Sequence, residues 1–222
     1  MTIRVVARSE NEMSQYIATL AAQLGRASEP EVRTQLIQRL MYTADRRAAQ
    51  PLLDISDHDD NTSFWIGEAF SYYLPKDRAL LDDAMATIRR HGVSPSSVRI
   101  LEQLQAPRET IKGLIGPSLN DANDGVRSEA ALAAQNYPDD RFMERLIQLA
   151  MQGSAGTRVR AIYALVSNRT DAGIAALRRL RQDADPEIRT TTERAIEGGY
   201  RMSGTGRGRP LQMHDFPDLA KR

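Results

Sequence analysis

The chain has no cysteine, which excludes disulfides, thiolate catalysis and cysteine-ligated zinc. Lysine is nearly missing: only Lys76, Lys112 and Lys221 occur, and the other basic residues are arginine. The three histidines, His58, His91 and His214, have no spacing suited to a metal, and no metal or cofactor is expected. Aromatic residues are few: one Trp, seven Tyr and four Phe. Excess charge of one sign is also lacking. The 30 Lys and Arg nearly cancel the 29 Asp and Glu, leaving a formal net charge of +1. No whole-chain field therefore draws the protein to nucleic acid or to a membrane surface. No apolar run approaches the roughly 20 residues that span a bilayer. Met1 to Arg8 carries charge and does not resemble a signal peptide. A cytoplasmic protein is the expectation.

A recurring stretch organises what is present. An acidic or proline-containing turn is followed by Val-Arg, or a near match, and then by an apolar helix. The copies are Val32-Arg33, Val98-Arg99, Val126-Arg127, Val159-Arg160 and Ile188-Arg189. Phe64-Trp65 falls midway in the double-length gap between the first two, where a sixth copy belongs. A period of about 30 residues is the mark of a solenoid, in which each unit stacks on its neighbours. Each unit reads as two helices. In the last, Asp185-Pro186-Glu187 places a cap, a proline at the first helical position and an acid at the positive helix end. Gly198-Gly199 is expected to end the last helix.

Asp185-Pro186-Glu187-Ile188-Arg189 resembles the Asp-Pro-x-Val-Arg turn of the HEAT repeat in its short bacterial form. Glu29-Pro30-Glu31-Val32-Arg33 and the segment from Ala155 to Arg160 match it in part. The resemblance covers roughly residues 10 to 200. It implies an all-α, right-handed α-solenoid of about six HEAT-like helical hairpins over residues 1–200. A short extended lead-in over 1–9 would precede the hairpins, and a flexible Gly/Arg-containing tail over 201–222 would follow. It says little about activity, because one fold hosts many functions.

Four groups of residues are candidates for more than packing. Arg33, Arg99, Arg127, Arg160 and Arg189 form a column. They make either a positive ridge or, as we prefer, a structural ladder bonded to turn carboxylates and carbonyls, which the planar guanidinium fork suits. Asp57, Asp59, Asn61, Ser63, Trp65 and Glu68 fit the spacing of a calcium loop, but Thr62 stands where the sharp turn wants glycine. An acidic helix cap is the better reading. Phe64, Trp65, Phe70, Tyr72 and Tyr73 are clustered. Phe64 and Phe70 are expected in the core, whereas Trp65, Tyr72 and Tyr73 are candidate partner contacts, since Trp and Tyr anchor interfaces. Arg207-Gly208-Arg209-Pro210 is similar to the core of an AT-hook, so Arg207 and Arg209 are candidate nucleic-acid contacts.

No catalytic template fits. Gly204-Thr205-Gly206 follows no strand and is no dinucleotide fingerprint. No His-Glu pair of the di-iron HEAT hydroxylases occurs, and a lone Trp is poor equipment for a HEAT-like DNA glycosylase. The expectation is a non-catalytic scaffold, adaptor or regulatory subunit that binds another protein. The alternatives are DNA binding aided by the tail, or a HEAT-like lyase or glycosylase.

Overall fold

The computed structural model describes residues 9–55, 60–74, 77–94 and 96–201. Among these residues there are twelve α-helices and no strand. All of the expected lead-in over 1–9 except Ser9, and the tail beyond Arg201, lie outside them. The chain divides into two compact units, residues 1–106 and 107–222.

The first unit holds α1 (Glu10–Leu24), α2 (Pro30–Met41), α3 (Ala49–Leu53), α4 (Asp60–Glu68), α5 (Arg78–His91) and α6 (Ser97–Gln103). A 3-10 turn, Arg46–Ala48, leads into α3, and a π-helical turn, Ala69–Tyr73, extends α4. Local chemistry starts these helices. Ser9 and Glu12 form a reciprocal capping box at α1, and Asp77 accepts a 2.6 Å bond from the Leu80 amide at the head of α5. Pro30 occupies the first turn of α2, where its missing N–H costs nothing. Helix α1 packs on α2, α2 on α4 and α4 on α6, while α3 packs on α5. The result is a stack of helical hairpins. Leu20, Ile37, Leu40, Phe70 and Leu80 are buried in its core, each contributing about 1.5–3 kcal/mol by leaving water.

The second unit holds α7 (Arg108–Ser118), α8 (Asp124–Asn136), α9 (Met143–Gln152), α10 (Ala155–Asn168), α11 (Asp171–Leu180) and α12 (Pro186–Arg201). These helices also pair as hairpins, with α8, α10 and α12 packed in succession. Asn123, Ser154 and Thr170 cap α8, α10 and α11 through their side-chain oxygens.

Three expectations need correction. Gly198-Gly199 does not end the last helix, because α12 runs through both glycines to Arg201. The apolar run Leu132 to Ala134 is expected to continue the buried stripe that Val126 and Ala130 carry in α8, but Leu132 is exposed and the stripe consists of Val126, Ala130, Ala131, Ala133 and Ala134. Phe64 is not in the core but about half exposed, at 49 %. It lies four residues before Glu68, on the outward stripe of α4, whereas Ile66, Ala69 and Phe70 take the inward one.

Candidate interaction surface

The arginine column separates into two kinds of contact. Arg33, Arg127 and Arg189 are each the fourth residue of their helix, in α2, α8 and α12. Each turns back onto the end of the helix before it. Arg33 donates to the Ala27 carbonyl at 3.0 Å. Arg127 donates to the carbonyls of Asp121 and Ala122, both at 2.7 Å. Arg189 donates to those of Asp183 and Ala184 at 2.6 and 2.9 Å. These carbonyls belong to helix ends and turns, where the backbone lacks intrahelical partners. Arg127 also pairs with Asp124 at 2.8 Å.

In α10 the fourth residue is Arg158, not Arg160. Arg158 makes the corresponding bond, to the Ala150 carbonyl at 2.9 Å, and reaches Asp183 at 2.5 Å. The Val-Arg dipeptide is therefore displaced by two residues in this unit, and Thr157 takes the inward place that Val126 and Ile188 hold elsewhere; all three are buried.

Arg99 and Arg160 do something different. Each bonds a glutamate 31 residues earlier, on the preceding second helix: Arg99 with Glu68 and Arg160 with Glu129. Glu129 is buried by the contact. The approach of Arg99 explains Gly67, since a Cβ there would lie 2.8 Å from Arg99 Cδ. The Arg99 guanidinium also sits over the Phe64 ring, 5.6 Å from its centroid, a contact of about 0.5–1 kcal/mol at an exposed site.

Asp124 joins two helix starts. Its Oδ2 accepts from Ser154 Oγ at 2.6 Å and Thr157 Oγ1 at 3.1 Å. The Ser154 hydroxyl, with Arg127 and Thr157, holds the Asp124 carboxyl below its ordinary range against the opposing effect of burial.

The aromatic candidates lie in the first unit. Trp65 is half-buried and packs against the core, with its ring edge-on to Phe64 at 5.3 Å. Tyr72 is 74 % exposed. Tyr73 is exposed too and meets Tyr42 edge-on at 5.2 Å. Burial of the phenol, followed by its neighbour Tyr42, pushes the Tyr73 pKa up. The π-turn carries Tyr72 and Tyr73 outward while Phe70 and Leu74 remain buried. Tyr42 and Phe64 were not singled out as contacts in the sequence. Tyr42 gives only a faint signal, an aromatic just past the end of an amphipathic helix.

The calcium-loop pattern does not survive as a loop, because Asp60–Glu68 is helical and Glu68 is engaged by Arg99. Its first residues, Asp57 to Asp59, lie outside the described residues. So do Arg207 and Arg209. Among the described residues no three His, Cys, Asp or Glu side chains group as a metal site. No described helix is long and apolar enough to cross a membrane.

A second charged cluster was not read from the sequence. Lys112 on α7 is 4 % exposed in its side chain and lies 2.8 Å from Glu109 and 3.4 Å from Asp139, itself 8 % exposed. Arg141 bonds Asp139 at 2.7 Å and Glu109 at 3.2 Å. The Arg141 side chain holds the Asp139 carboxyl well below the usual carboxylate range, and Asp139 in turn raises Arg141. Asp139 also donates its amide to Asn168 at 2.9 Å, and Asn168 donates to the Ala164 carbonyl. All its charges are paired, so the cluster ties α7, the start of α9 and the end of α10 together.

Comparison with known proteins assigns no family: no family model matches the chain, and no curated protein matches it.

Proposed function

We propose that the protein is a non-catalytic scaffold or adaptor, and that its HEAT-like, right-handed hairpin array presents the aromatic surface of the first unit to a protein partner. One observation carries the reading: Tyr72 is 74 % exposed in a unit where Tyr42, Tyr73 and Phe64 are exposed as well, with Tyr42 and Tyr73 in ring contact. Large aromatics concentrated outside the core supply the area that interfaces use. Their position on and around a π-turn adds support, since such turns recur at functional sites. The arginines do not compete as a ridge. Arg33, Arg127 and Arg189 are engaged by turn carbonyls, and Arg99 and Arg160 by glutamates. In this reading all five form a structural ladder.

Tyr72 and Tyr73 are the contacts, with Tyr42 added. Trp65 supports the core and touches the exposed Phe64 ring. The test is affinity capture on wild-type chain and on Tyr42→Ala/Tyr72→Ala. A protein retained by the wild type and lost from the variant, with helicity and melting unchanged, supports the reading. Equal retention by both refutes it. Salt-dependent retention of duplex DNA by the wild type, with no protein captured, would favour nucleic acid through Arg207 and Arg209 instead.

A further inference from the structure

Helices α1 and α2 border an open groove of about 380 Å³ in the first unit. Ala27, Val32 and Leu36 give it an apolar lining, and Arg26 and Arg39 stand beside them. Val32 is 45 % exposed, although Val126 and Ile188, the third residues of α8 and α12 as Val32 is of α2, are 2 % and 1 % exposed. A valine half in water leaves much of its apolar area unburied. No ion pair among the described residues engages Arg26 or Arg39, and no carboxylate lines the groove. An occupant that fits must bring apolar side chains and negative charge together.

We propose that the groove takes the C-terminal segment, residues 211–219, of a second copy of this chain. That segment carries Leu211, Met213, Phe216 and Leu219, with Asp215 and Asp218 between them. The two aspartates match the two arginines. The N-terminal segment, residues 1–8, which lies outside the described residues, carries Arg4 and Arg8 and no carboxylate, so it would set like charges against the rim. A net charge of +1 leaves little repulsion between copies. Residues 202–210 span up to about 30 Å when extended, enough to cross to a neighbour. Groove and segment are different surfaces, so the association is head-to-tail and does not close at a dimer unless the rotation between copies allows it.

The test uses the full chain, with sedimentation velocity and hydrogen exchange read over a concentration series. The expected result is a weight-average mass that rises with concentration while exchange of 211–219 slows in parallel. Arg26→Glu/Arg39→Glu should weaken association at least about tenfold, the factor that corresponds to 1.4 kcal/mol. Adding Asp215→Arg/Asp218→Arg to that variant should restore it. Circular dichroism checks that each variant is folded. Tyr42→Ala/Tyr72→Ala should leave self-association unchanged, which separates this contact from the aromatic surface. A monomer throughout the series overturns the proposal. So does slowed exchange of 211–219 that is independent of concentration, association indifferent to the charge reversal, or association lost on deleting residues 2–8 but not 211–219.

Discussion

Asp139→Asn should be the most destabilising conservative change in the second unit. Asp139 and Lys112 are both nearly buried, with side chains 8 % and 4 % exposed. Removing the aspartate charge leaves the Lys112 ammonium inside the protein with one remaining partner, Glu109, which is 70 % exposed. Breaking a buried pair from one side typically costs about 3–5 kcal/mol, because an uncompensated charge stays behind. Lys112→Met is gentler. It removes a buried charge outright, and Asp139 keeps Arg141, whose Nε and Nη2 donate at 2.8 and 2.7 Å. The loss there should be about 1–3 kcal/mol. In the double variant no buried charge is stranded, so its cost should fall short of the sum by roughly 1–3 kcal/mol.

Urea unfolding followed by helical circular dichroism measures all four proteins. Fluorescence of the sole tryptophan does not serve, because Trp65 belongs to the other unit. Acid titration adds a signed check. The folded Asp139 carboxyl lies below its ordinary value of 3.8, chiefly through Arg141. A depressed carboxylate contributes stability that is fully present above its unfolded pKa and is lost as pH falls below it. Wild type should therefore lose stability below about pH 4, and Asp139→Asn should lose less over the same range. If Asp139→Asn costs less than Lys112→Met, or if the two changes add without coupling, the cluster is not the tie described.

Gly67→Ala should fail to deliver the helix-propensity gain of about 1 kcal/mol, because its Cβ would meet Arg99 Cδ at 2.8 Å; in an Arg99→Ala background the same change should recover that gain in thermal melts. Gln105→Gly should stabilise the first unit by roughly 0.5–1 kcal/mol, since Gln105 sits at φ 58°, where a side chain is penalised and glycine is not; no gain in urea unfolding would refute this. Arg127→Ala removes the donor to two turn carbonyls and to Asp124 Oδ1 and should cost about 1–3 kcal/mol. Arg158→Ala should cost as much, although Arg158 lies outside the Val-Arg dipeptides.

Hairpin architecture was legible because it depends on features with a period: apolar stripes, caps and acidic turns. Asp185-Pro186-Glu187 reads as a helix start and is one, with the Asp185 carboxylate accepting from the Glu187 amide at 2.8 Å. The exposed tyrosines were legible in part, since residues adjacent in a helix cannot both face the core. Phe64 was misplaced because hydrophobicity alone does not say which stripe of a short helix faces in. Its ring is held outside by Trp65 and Arg99, and neither contact follows from composition. The Lys112 cluster was illegible for a similar reason. Its members come from α7, the turn before α9 and the end of α10, and a lone lysine on an amphipathic helix ordinarily points to water.

Matching the Val-Arg dipeptide misaligned the repeat in α10, and the physical reason is instructive. An arginine near a helix start has two ways to satisfy its fork. It can turn back to the carbonyls of the preceding helix, as Arg127, Arg158 and Arg189 do. It can instead reach across to a carboxylate on the previous second helix, as Arg99 and Arg160 do. The residue before an arginine of the first kind need not be apolar, as Thr157 before Arg158 shows, so the dipeptide is not the shared geometry of the repeat. The constant quantity is the distance along the chain between stacked partners. Glu68 to Arg99 and Glu129 to Arg160 both span 31 residues, one hairpin each. Arg127, Arg158 and Arg189 keep that same interval. With Glu68 and Glu129 as the fixed points, Trp65 no longer replaces an arginine. It stands three residues before Glu68, as Val126 stands three before Glu129. That is an inward position. A valine there disappears into the core, whereas an indole is too large to do so and remains half-buried at its edge. Trp65 is thus a core residue that overflows its site, and the exposed rings of the first unit are those of Tyr42, Phe64, Tyr72 and Tyr73.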